Sequence, residues 1–285
     1  MSQKGFNWQR FATKTLPLIP QYLIAIIVSL IVLFPIAIAI LGGFKTTGEL
    51  LNRPFALPNE WLAENYAWII NHKGFWQQLL NSCIVMVGTV ALTMLSASMA
   101  AFVFARMSFK GRDLLFNYLM IGLLFPVIVA ILPLFLLMRQ LHLTNSLMGM
   151  ILVQAAYGIP GTILVLRGFF RALPRDLEDA AYIDGCTSFG FFWRVLLRLS
   201  TPALAANAAL GMVGSWNALF LPLVVLDKEE MWTLPLGTMQ FQGQYATEWS
   251  RVMAFVVLAM IPAVIFYLLA ERYIVSGLTG GSLKG

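Results

Sequence analysis

The chain has 285 residues, of which 59% are hydrophobic and only 11% are charged, and its formal net charge is +6. A soluble domain has about a quarter charged residues, and its core grows too slowly with chain length to bury this much apolar surface. The composition therefore excludes a cytosolic enzyme, a nucleic-acid-binding module and a disordered chain, and it predicts an integral membrane protein.

Six apolar stretches each exceed the roughly 18 residues at which a membrane-spanning helix becomes the default interpretation. They predict an all-α membrane protein with six transmembrane helices in a domain of residues 19–275, preceded by a segment 1–18 and followed by a tail 276–285. The first stretch is too long for the apolar part of a signal peptide, so we expect it to be retained. The predicted spans are 19–42, 79–104, 114–138, 146–166, 202–226 and 252–274.

The lysines and arginines are distributed unevenly between the two sides of these spans. Thirteen of the 19 lie in the N-terminal segment, in the loops after the second and fourth spans, at the end of the last span (Arg272) and in the tail. Because Lys and Arg collect on the cytoplasmic side of membrane proteins, both termini are predicted to be cytoplasmic. The net positive charge then reflects topology rather than a nucleic-acid partner.

The interiors of the spans lack charge, since no Asp, Glu, Lys or Arg lies in the middle of any of them. Ion-coupled transporters usually carry an ionisable group at this depth, so the pattern argues against proton or sodium coupling. The polar side chains that remain suit an uncharged, hydroxyl-rich solute, and they equally suit hydrogen bonds between helices. They include Asn207, Ser215 and two residues that form a candidate substrate path, Gln154 and Asn217.

Prolines interrupt the spans, among them Pro126 in the third and Pro222 in the fifth. They indicate either kinks around a pathway or ordinary packing in which neighbours satisfy the freed carbonyls. The two cysteines, Cys83 and Cys186, match no metal-ligand spacing with the two histidines, so no metal site is predicted.

The last predicted outer loop, about residues 227–250, is long and rich in aromatic residues. Such residues form belts at membrane interfaces, and they also form surfaces that bind partner proteins. Both interpretations apply to Trp232, Phe241, Tyr245 and Trp249.

The inner loop at about 171–200 is charged and resembles a pair of short helices. Pro174 can open the first helix, acids follow in its first turn where the helix dipole favours them, and Gly185 ends it. Ala180 and Ala181 are expected to form a small, smooth patch that another protein could approach closely. A docking helix and a solvated connecting loop are both open at this point. The acids are Asp176, Glu178 and Asp179.

A second helix is predicted after Gly185, with apolar residues at the spacing of one helical face. It is expected to lie at the cytoplasmic membrane interface, with Arg194 and Arg198 off the apolar face. The residues of that face are Phe189, Phe192, Trp193 and Leu196.

The same segment, LPRDLEDAAYIDG, resembles the EAA loop of permease subunits of bacterial ABC importers. Alignment on Gly185 places Asp179 on the family's glutamate, with Glu178 beside it as a substitute. Arg198 replaces the family's proline, which removes the usual break from the second helix. The resemblance implies that this loop docks on a cytoplasmic ATPase through Pro174, Leu177, Glu178, Asp179, Ala180, Ala181, Asp184 and Gly185.

Further motifs resemble the six-helix carbohydrate permeases of the maltose-transporter type. They are FKT and LPNEW in the first outer loop, WNALFLPLVVL from Trp216, and the final GLTGGSLKG. The resemblance implies a multi-pass protein of the bacterial inner membrane that forms a heterodimer with a second permease subunit. Its other expected partners are two cytoplasmic ATPase subunits, an extracytoplasmic solute-binding protein, membrane lipid and a sugar.

The resemblance also assigns roles to the loop and the tail. The aromatic residues of the last outer loop would contact the solute-binding protein, and the larger partner subunit would hold most sugar contacts. The tail would contact the ATPase through Gly281, Ser282, Lys284 and Gly285.

The chain contains no GxxxxGK[ST] phosphate-binding loop, so it is not expected to be an enzyme or to carry catalytic residues. No cofactor is expected on this chain, because ATP and Mg²⁺ would bind the partner ATPase. The leading hypothesis is a permease that imports a sugar or oligosaccharide by alternating access. The alternatives are a permease for a polyol or glycerol-phosphate, a secondary transporter, and a membrane scaffold that transports nothing.

Overall fold

The structure is a computed structural model that describes residues 19–241 and 247–280, with only the backbone of 270 and 272–280. The described residues form an all-helical protein, as predicted. Four helices are long and apolar enough to cross a membrane, or up to six if each of two bent helix pairs is one span. The chain divides into two compact units, 1–69 with 241–258, and 70–240 with 259–285.

The helices follow one another along the whole described chain. Four of them match predicted spans, namely α1, α4, α7 and α13. The order is α1 Ile19–Gly43, α2 Thr47–Asn52, α3 Glu64–Asn71, α4 Lys73–Arg106, α5 Arg112–Ile121 with a 3₁₀ turn Gly122–Leu124, α6 Val127–Gln140, α7 Leu147–Ala172, α8 Asp176–Ile183, α9 Ser188–Leu199, α10 Thr201–Trp216, α11 Phe220–Val225, α12 Leu234–Gly237 and α13 Trp249–Gly280.

The third predicted span, 114–138, is not one straight helix. It is divided between α5 and α6, whose axes differ by 103°. The break falls at Phe125 and Pro126, which both have extended backbone conformations. Proline disfavours the helical conformation of the residue before it, which explains why the helix stops here.

The fifth predicted span, 202–226, is also interrupted. Helix α10 ends at Trp216, and a short helix α11 begins at Phe220. Pro222 lacks an N–H group to donate to the carbonyl of Ala218, so a continuous helix would lose that hydrogen bond. At its other end α10 meets α9 at an angle of 77°.

The first unit is held together by polar contacts just after α1. Lys45 is fully buried, and its ammonium group donates to the carbonyl oxygens of Arg53 at 2.8 Å and Pro54 at 3.2 Å. The Tyr66 hydroxyl donates to the Ile40 carbonyl at 2.9 Å, and burial raises the pKa of Tyr66 to about 12. The ring of Tyr66 also packs on Phe44, with centroids 4.6 Å apart. Tyr66 and Phe44 therefore contribute to the packing inside the first unit.

The second unit contains two apolar clusters. One lies around the end of α4 and the helices α8 and α9, and it includes Phe102, Phe170, Phe191, Phe192 and Leu196. The other lies near the opposite end of α4 and includes Val85, Met138, Met150, Val225 and Leu236. Each cluster packs beside one of the candidate sites that are described in the next section.

Candidate functional site

The predicted loop helix exists as α8, Asp176–Ile183. All three acids lie in its first turn, where their charges stabilise the helix, and Pro174 lies just before the helix rather than in it. Gly185 has a φ of 81°, the left-handed conformation that glycine adopts without strain. The Cys186 N–H donates to the Ala181 carbonyl at 2.9 Å, which closes the helix end. The predicted stop at Gly185 is therefore confirmed.

A buried arginine fastens α8 to the end of α4. The Arg106 side chain is 3% exposed, and its Nη2 donates to the Leu173 carbonyl at 2.8 Å. Its Nη1 lies 3.4 Å from Oε2 of Glu178, whose side chain is 14% exposed. One guanidinium group thus holds both the chain that enters α8 and the first turn of α8. Arg106 does not belong to any of the motifs in the sequence, although its position at the end of a long apolar run was a signal.

Tyr182 completes this polar cluster. Its hydroxyl donates to Oε1 of Glu178 at 2.9 Å and lies 3.1 Å from the Ser188 hydroxyl. The Ser188 hydroxyl by itself would lower the pKa of Tyr182, but burial and the Glu178 carboxylate outweigh it and the pKa is raised. The tyrosine therefore stays protonated and acts as a hydrogen-bond donor that links α8 to the start of α9.

The opposite face of α8 is exposed. Asp179 and Ala180 face solvent, and Ile183 is 86% exposed. Ala181 is only 8% exposed and packs in the apolar cluster around Phe191, so the expected patch of two alanines is not formed. The exposed face instead combines acids with apolar side chains, and it consists of Asp176, Leu177, Asp179, Ala180, Ile183 and Asp184.

The residues that the sequence places on one apolar face of α9 are partly buried and partly exposed in the structure. Phe192 and Leu196 are buried with Phe191, whereas Phe189 is 65% exposed and Trp193 is 43% exposed. A π-helical segment from Phe192 to Leu196 widens the helix and changes which residues share a face. The helix includes Arg198 but ends at Leu199, where the chain bends by 77° into α10, so the expected extension of this helix is not found.

A cavity of about 580 Å³ in the second unit contains Gln154. The Gln154 Oε1 accepts hydrogen bonds from Ser215 at 2.6 Å and from Thr89 at 3.4 Å. Within the described residues, the buried atoms Gln154 Nε2 and Thr93 Oγ1 have no hydrogen-bond partner. The described wall has no charged side chain, and its polar groups are Thr89, Thr93, Gln154, Tyr157, Thr162, Asn207 and Ser215.

Asn217 lies away from this cavity. Its side chain donates to the Val213 carbonyl of its own helix at 3.0 Å and lines a second cavity of about 310 Å³, which is mostly apolar. The structure therefore separates the two residues of the candidate substrate path. Thr89 and Thr93 were missed, although their spacing of four residues in an apolar helix placed both on one face.

Comparison with known families identifies this arrangement. Residues 94–280 match the family model of the inner membrane component of binding-protein-dependent transport systems. The chain belongs to this family. It is 34% identical over 266 residues to the diacetylchitobiose uptake system permease protein NgcG of Streptomyces coelicolor, covering 93% of this chain and 88% of that protein.

Other relatives of the permease have similar lengths. It is 36% identical over 261 residues to the arabinooligosaccharides transport system permease protein AraQ of Bacillus subtilis, covering 90% of this chain and 92% of that protein. A crystal structure of a bacterial ABC transporter involved in the import of the acidic polysaccharide alginate contains a chain with the same fold. The TM-score is 0.78 at 22% identity, covering 94% of this chain and 98% of that chain.

The aromatic residues of the permease's 227–250 loop occupy different environments. Trp232 is half-buried, and its indole N–H donates to the Leu226 carbonyl at 3.1 Å. Phe241 is buried, with its ring centroid 6.0 Å from that of Trp68, so it belongs to the core of the first unit. Trp249 is exposed, whereas Tyr245 lies outside the described residues. Of this set, Trp249 offers the most surface to a partner.

The tail contacts that the resemblance implies lie beyond the part of the permease that the structure describes. They are Gly281, Ser282, Lys284 and Gly285, and the segment 1–18 is likewise outside the described residues.

Proposed function

We propose that this permease is the membrane subunit of an ATP-driven importer that moves a sugar or oligosaccharide into the cytoplasm by alternating access. The observation that carries the proposal is α8, a short acidic helix held to α4 by Arg106 with one face left exposed. The named relatives take up diacetylchitobiose and arabinooligosaccharides, which supports a carbohydrate as the substrate.

The exposed face of α8 is the proposed contact with the ATPase. Asp179 provides a charge for an Arg or Lys of the partner, and Leu177 and Ile183 provide apolar area beside it. Glu178 is not available to the partner in the same way, because Arg106 and Tyr182 already bind both of its oxygens. ATP and Mg²⁺ would bind the ATPase subunits, and this chain would contribute no catalytic group.

The cavity around Gln154 is the proposed part of the sugar path on this subunit. Its amides and hydroxyls match the donors and acceptors of an uncharged sugar, and the unpaired Gln154 Nε2 can donate to a sugar hydroxyl. A relative from Agrobacterium fabrum, 34% identical over 254 residues, is named a sulfoquinovosyl glycerol transport system permease protein. The uncharged wall favours a neutral sugar for the present permease.

The proposed topology places the Arg106 end of α4 in the cytoplasm and the 227–250 loop outside. The bent pair α5 with α6 counts as one of six spans, α10 with α11 counts as another, and both termini are cytoplasmic. The proposed assembly adds a second permease subunit, two ATPase subunits and an extracytoplasmic solute-binding protein, all in or at the bacterial inner membrane. The loop residues Trp232 and Trp249 would lie on the side of the binding protein.

The experiment is a charge reversal at Asp179 in the complete importer reconstituted in proteoliposomes. Asp179→Lys should abolish sugar uptake and the stimulation of ATP hydrolysis by the binding protein, while insertion of the permease into the membrane stays normal. Glu60→Lys is the matched control, because Glu60 is an exposed carboxylate in the first outer loop. Normal uptake by the Asp179→Lys importer would contradict the proposed ATPase contact.

A further inference from the structure

Helix α4 is unbroken over 34 residues, Lys73–Arg106. Among the described helices longer than 18 residues, it alone has no internal proline; the others contain Pro35, Pro160 and Pro262. At 1.5 Å per residue, the distance along α4 from Asn81 to Arg106 is about 38 Å. An uninterrupted helix without a proline is the stiffest connection that the described part of the chain offers over such a distance.

The outer end of α4 is hydrogen-bonded to the 227–250 loop. Asn81 is buried, and its Nδ2 donates to the carbonyl oxygens of Glu230 at 2.8 Å and Trp232 at 2.9 Å. The neighbouring Ser82 hydroxyl accepts from the Leu234 N–H at 2.8 Å. Three backbone groups of one loop are therefore bound by two adjacent side chains of α4.

The Asn81 side chain is itself held in place. Its Oδ1 accepts from Nε2 of Gln77, one helical turn away, at 3.0 Å. This hydrogen bond orients the amide so that both N–H groups point at the loop carbonyls. Movement of the loop thus displaces α4, and movement of α4 displaces the loop.

The inner end of α4 is fastened to α8 through Arg106, which binds the Leu173 carbonyl and Glu178. Between the two ends, Thr89 and Thr93 line the cavity around Gln154. A single helix therefore contacts the 227–250 loop, the cavity and the helix that faces the ATPase.

We propose that α4 carries movement between α8 and the 227–250 loop, with Arg106 and Asn81 as the positioning residues that fasten its two ends. The proposal rests on the proposed function, since it requires α8 to contact an ATPase and the loop to face the binding protein. It predicts that the binding protein stimulates ATP hydrolysis through contacts made by this one helix.

The test measures ATP hydrolysis by the complete importer in proteoliposomes, with and without the binding protein loaded with the sugar that stimulates the unmodified importer most. Asn81→Ala and Arg106→Gln should each lower the stimulation about tenfold, a magnitude typical of coupling between distant sites. The rate of unstimulated ATP hydrolysis and the amount of assembled complex should be the same as in the unmodified importer. A purely structural role would lower both rates together and leave their ratio unchanged, which would overturn the proposal.

The double variant Asn81→Ala with Arg106→Gln tests whether the two residues act through the same helix or independently of each other. Because both substitutions interrupt the same helix, the double variant should lose no more stimulation than either single variant. Multiplied losses would overturn the proposal. Arg106→Lys keeps the charge and should restore part of the stimulation. Arg112→Gln is the control, since Arg112 pairs with Asp113 and donates to the Met107 carbonyl rather than binding Glu178.

Asp179→Lys distinguishes the failure of this proposal from the failure of the proposed function. If Asp179→Lys abolishes stimulation while Asn81→Ala and Arg106→Gln keep it, the role of α4 is wrong and the ATPase contact stands. If Asp179→Lys also keeps full stimulation, the proposed ATPase contact through the exposed face of α8 is wrong, and the role of α4 falls with it because it requires that contact.

Discussion

The Nη1 atom of Arg106 lies 3.4 Å from the Oε2 atom of Glu178, and the next carboxylate along the chain, Asp179, is exposed to solvent. Successive residues of a helix point about 100° apart, so two adjacent acids face different surroundings and can have different roles. Glu178 holds α8 against α4, and Asp179 remains available to a partner.

This division predicts different results for two conservative substitutions. Glu178→Gln removes the charge that pairs with buried Arg106, and it should cost about 2 kcal/mol because the guanidinium loses its ion pair. For a chain of this size the melting temperature should fall by about 5 °C. Thermal unfolding of the purified permease measures this change.

Asp179→Asn is the matched control for stability. It should leave the melting temperature unchanged, because no ion pair of Asp179 is found among the described residues. It should nevertheless lower the stimulation of ATP hydrolysis in the complete importer. Equal melting temperatures for the Glu178→Gln variant and the unmodified permease would refute the structural role of Glu178.

Substitution of Gly185 is expected to strain the backbone without creating a steric clash. A Cβ atom at this position would meet no atom within 4 Å, but the φ of 81° is unfavourable for side-chain-bearing residues. Gly185→Val should therefore cost about 1–2 kcal/mol. Gly185→Asn should cost less, because asparagine tolerates the left-handed conformation. Thermal unfolding distinguishes the two variants, and equal stabilities would contradict this explanation.

Substitution of Gly149 is expected to create a steric clash, whereas its φ is not in the left-handed region. A Cβ atom there would overlap the Leu143 carbonyl oxygen and lie 2.9 Å from Cε of Met138, so the backbone would have to move. Gly149→Ala should lower the yield of folded permease sharply. Gly168 is in the same helix with open space around it, and Gly168→Ala should stabilise the helix by about 0.5–1 kcal/mol. Size-exclusion chromatography and thermal unfolding report both results.

Substitution of Gln154 tests whether the cavity lies on the sugar path. Gln154→Leu removes the amide that faces the cavity and the acceptor of the Ser215 hydroxyl, so sugar uptake should fall about three- to tenfold. Gln140→Leu makes the same change at an exposed position at the end of α6 and should leave uptake normal. Equal uptake by the two variants would remove Gln154 from the sugar path.

Much of the fold was predictable because long apolar runs leave few alternatives in a membrane. The interruptions were less predictable. Pro126 indicated a kink, but its presence alone does not distinguish a small bend from the 103° turn between α5 and α6. That angle depends on packing of the two halves, which one sequence does not reveal.

The candidate site shows the same limit at the level of single side chains. The acidic helix and its stop at Gly185 were predictable from local rules, because helix dipoles favour acids in the first turn and glycine adopts positive φ. The inward-facing acid was not predictable, since it depends on Arg106, 72 residues away in the sequence. Gln154 and Asn217 looked equivalent as sequence, and only the structure placed them in different cavities.

The central claim is that ATP, rather than an ion gradient, drives uptake of a neutral sugar. The most direct measurement is uptake of labelled diacetylchitobiose and other neutral oligosaccharides into proteoliposomes that contain the complete importer. At least one should accumulate only with ATP and the binding protein on their proper sides, and ionophores that collapse proton and sodium gradients should have no effect. Uptake that needs no ATP and stops when those gradients are collapsed would contradict the account.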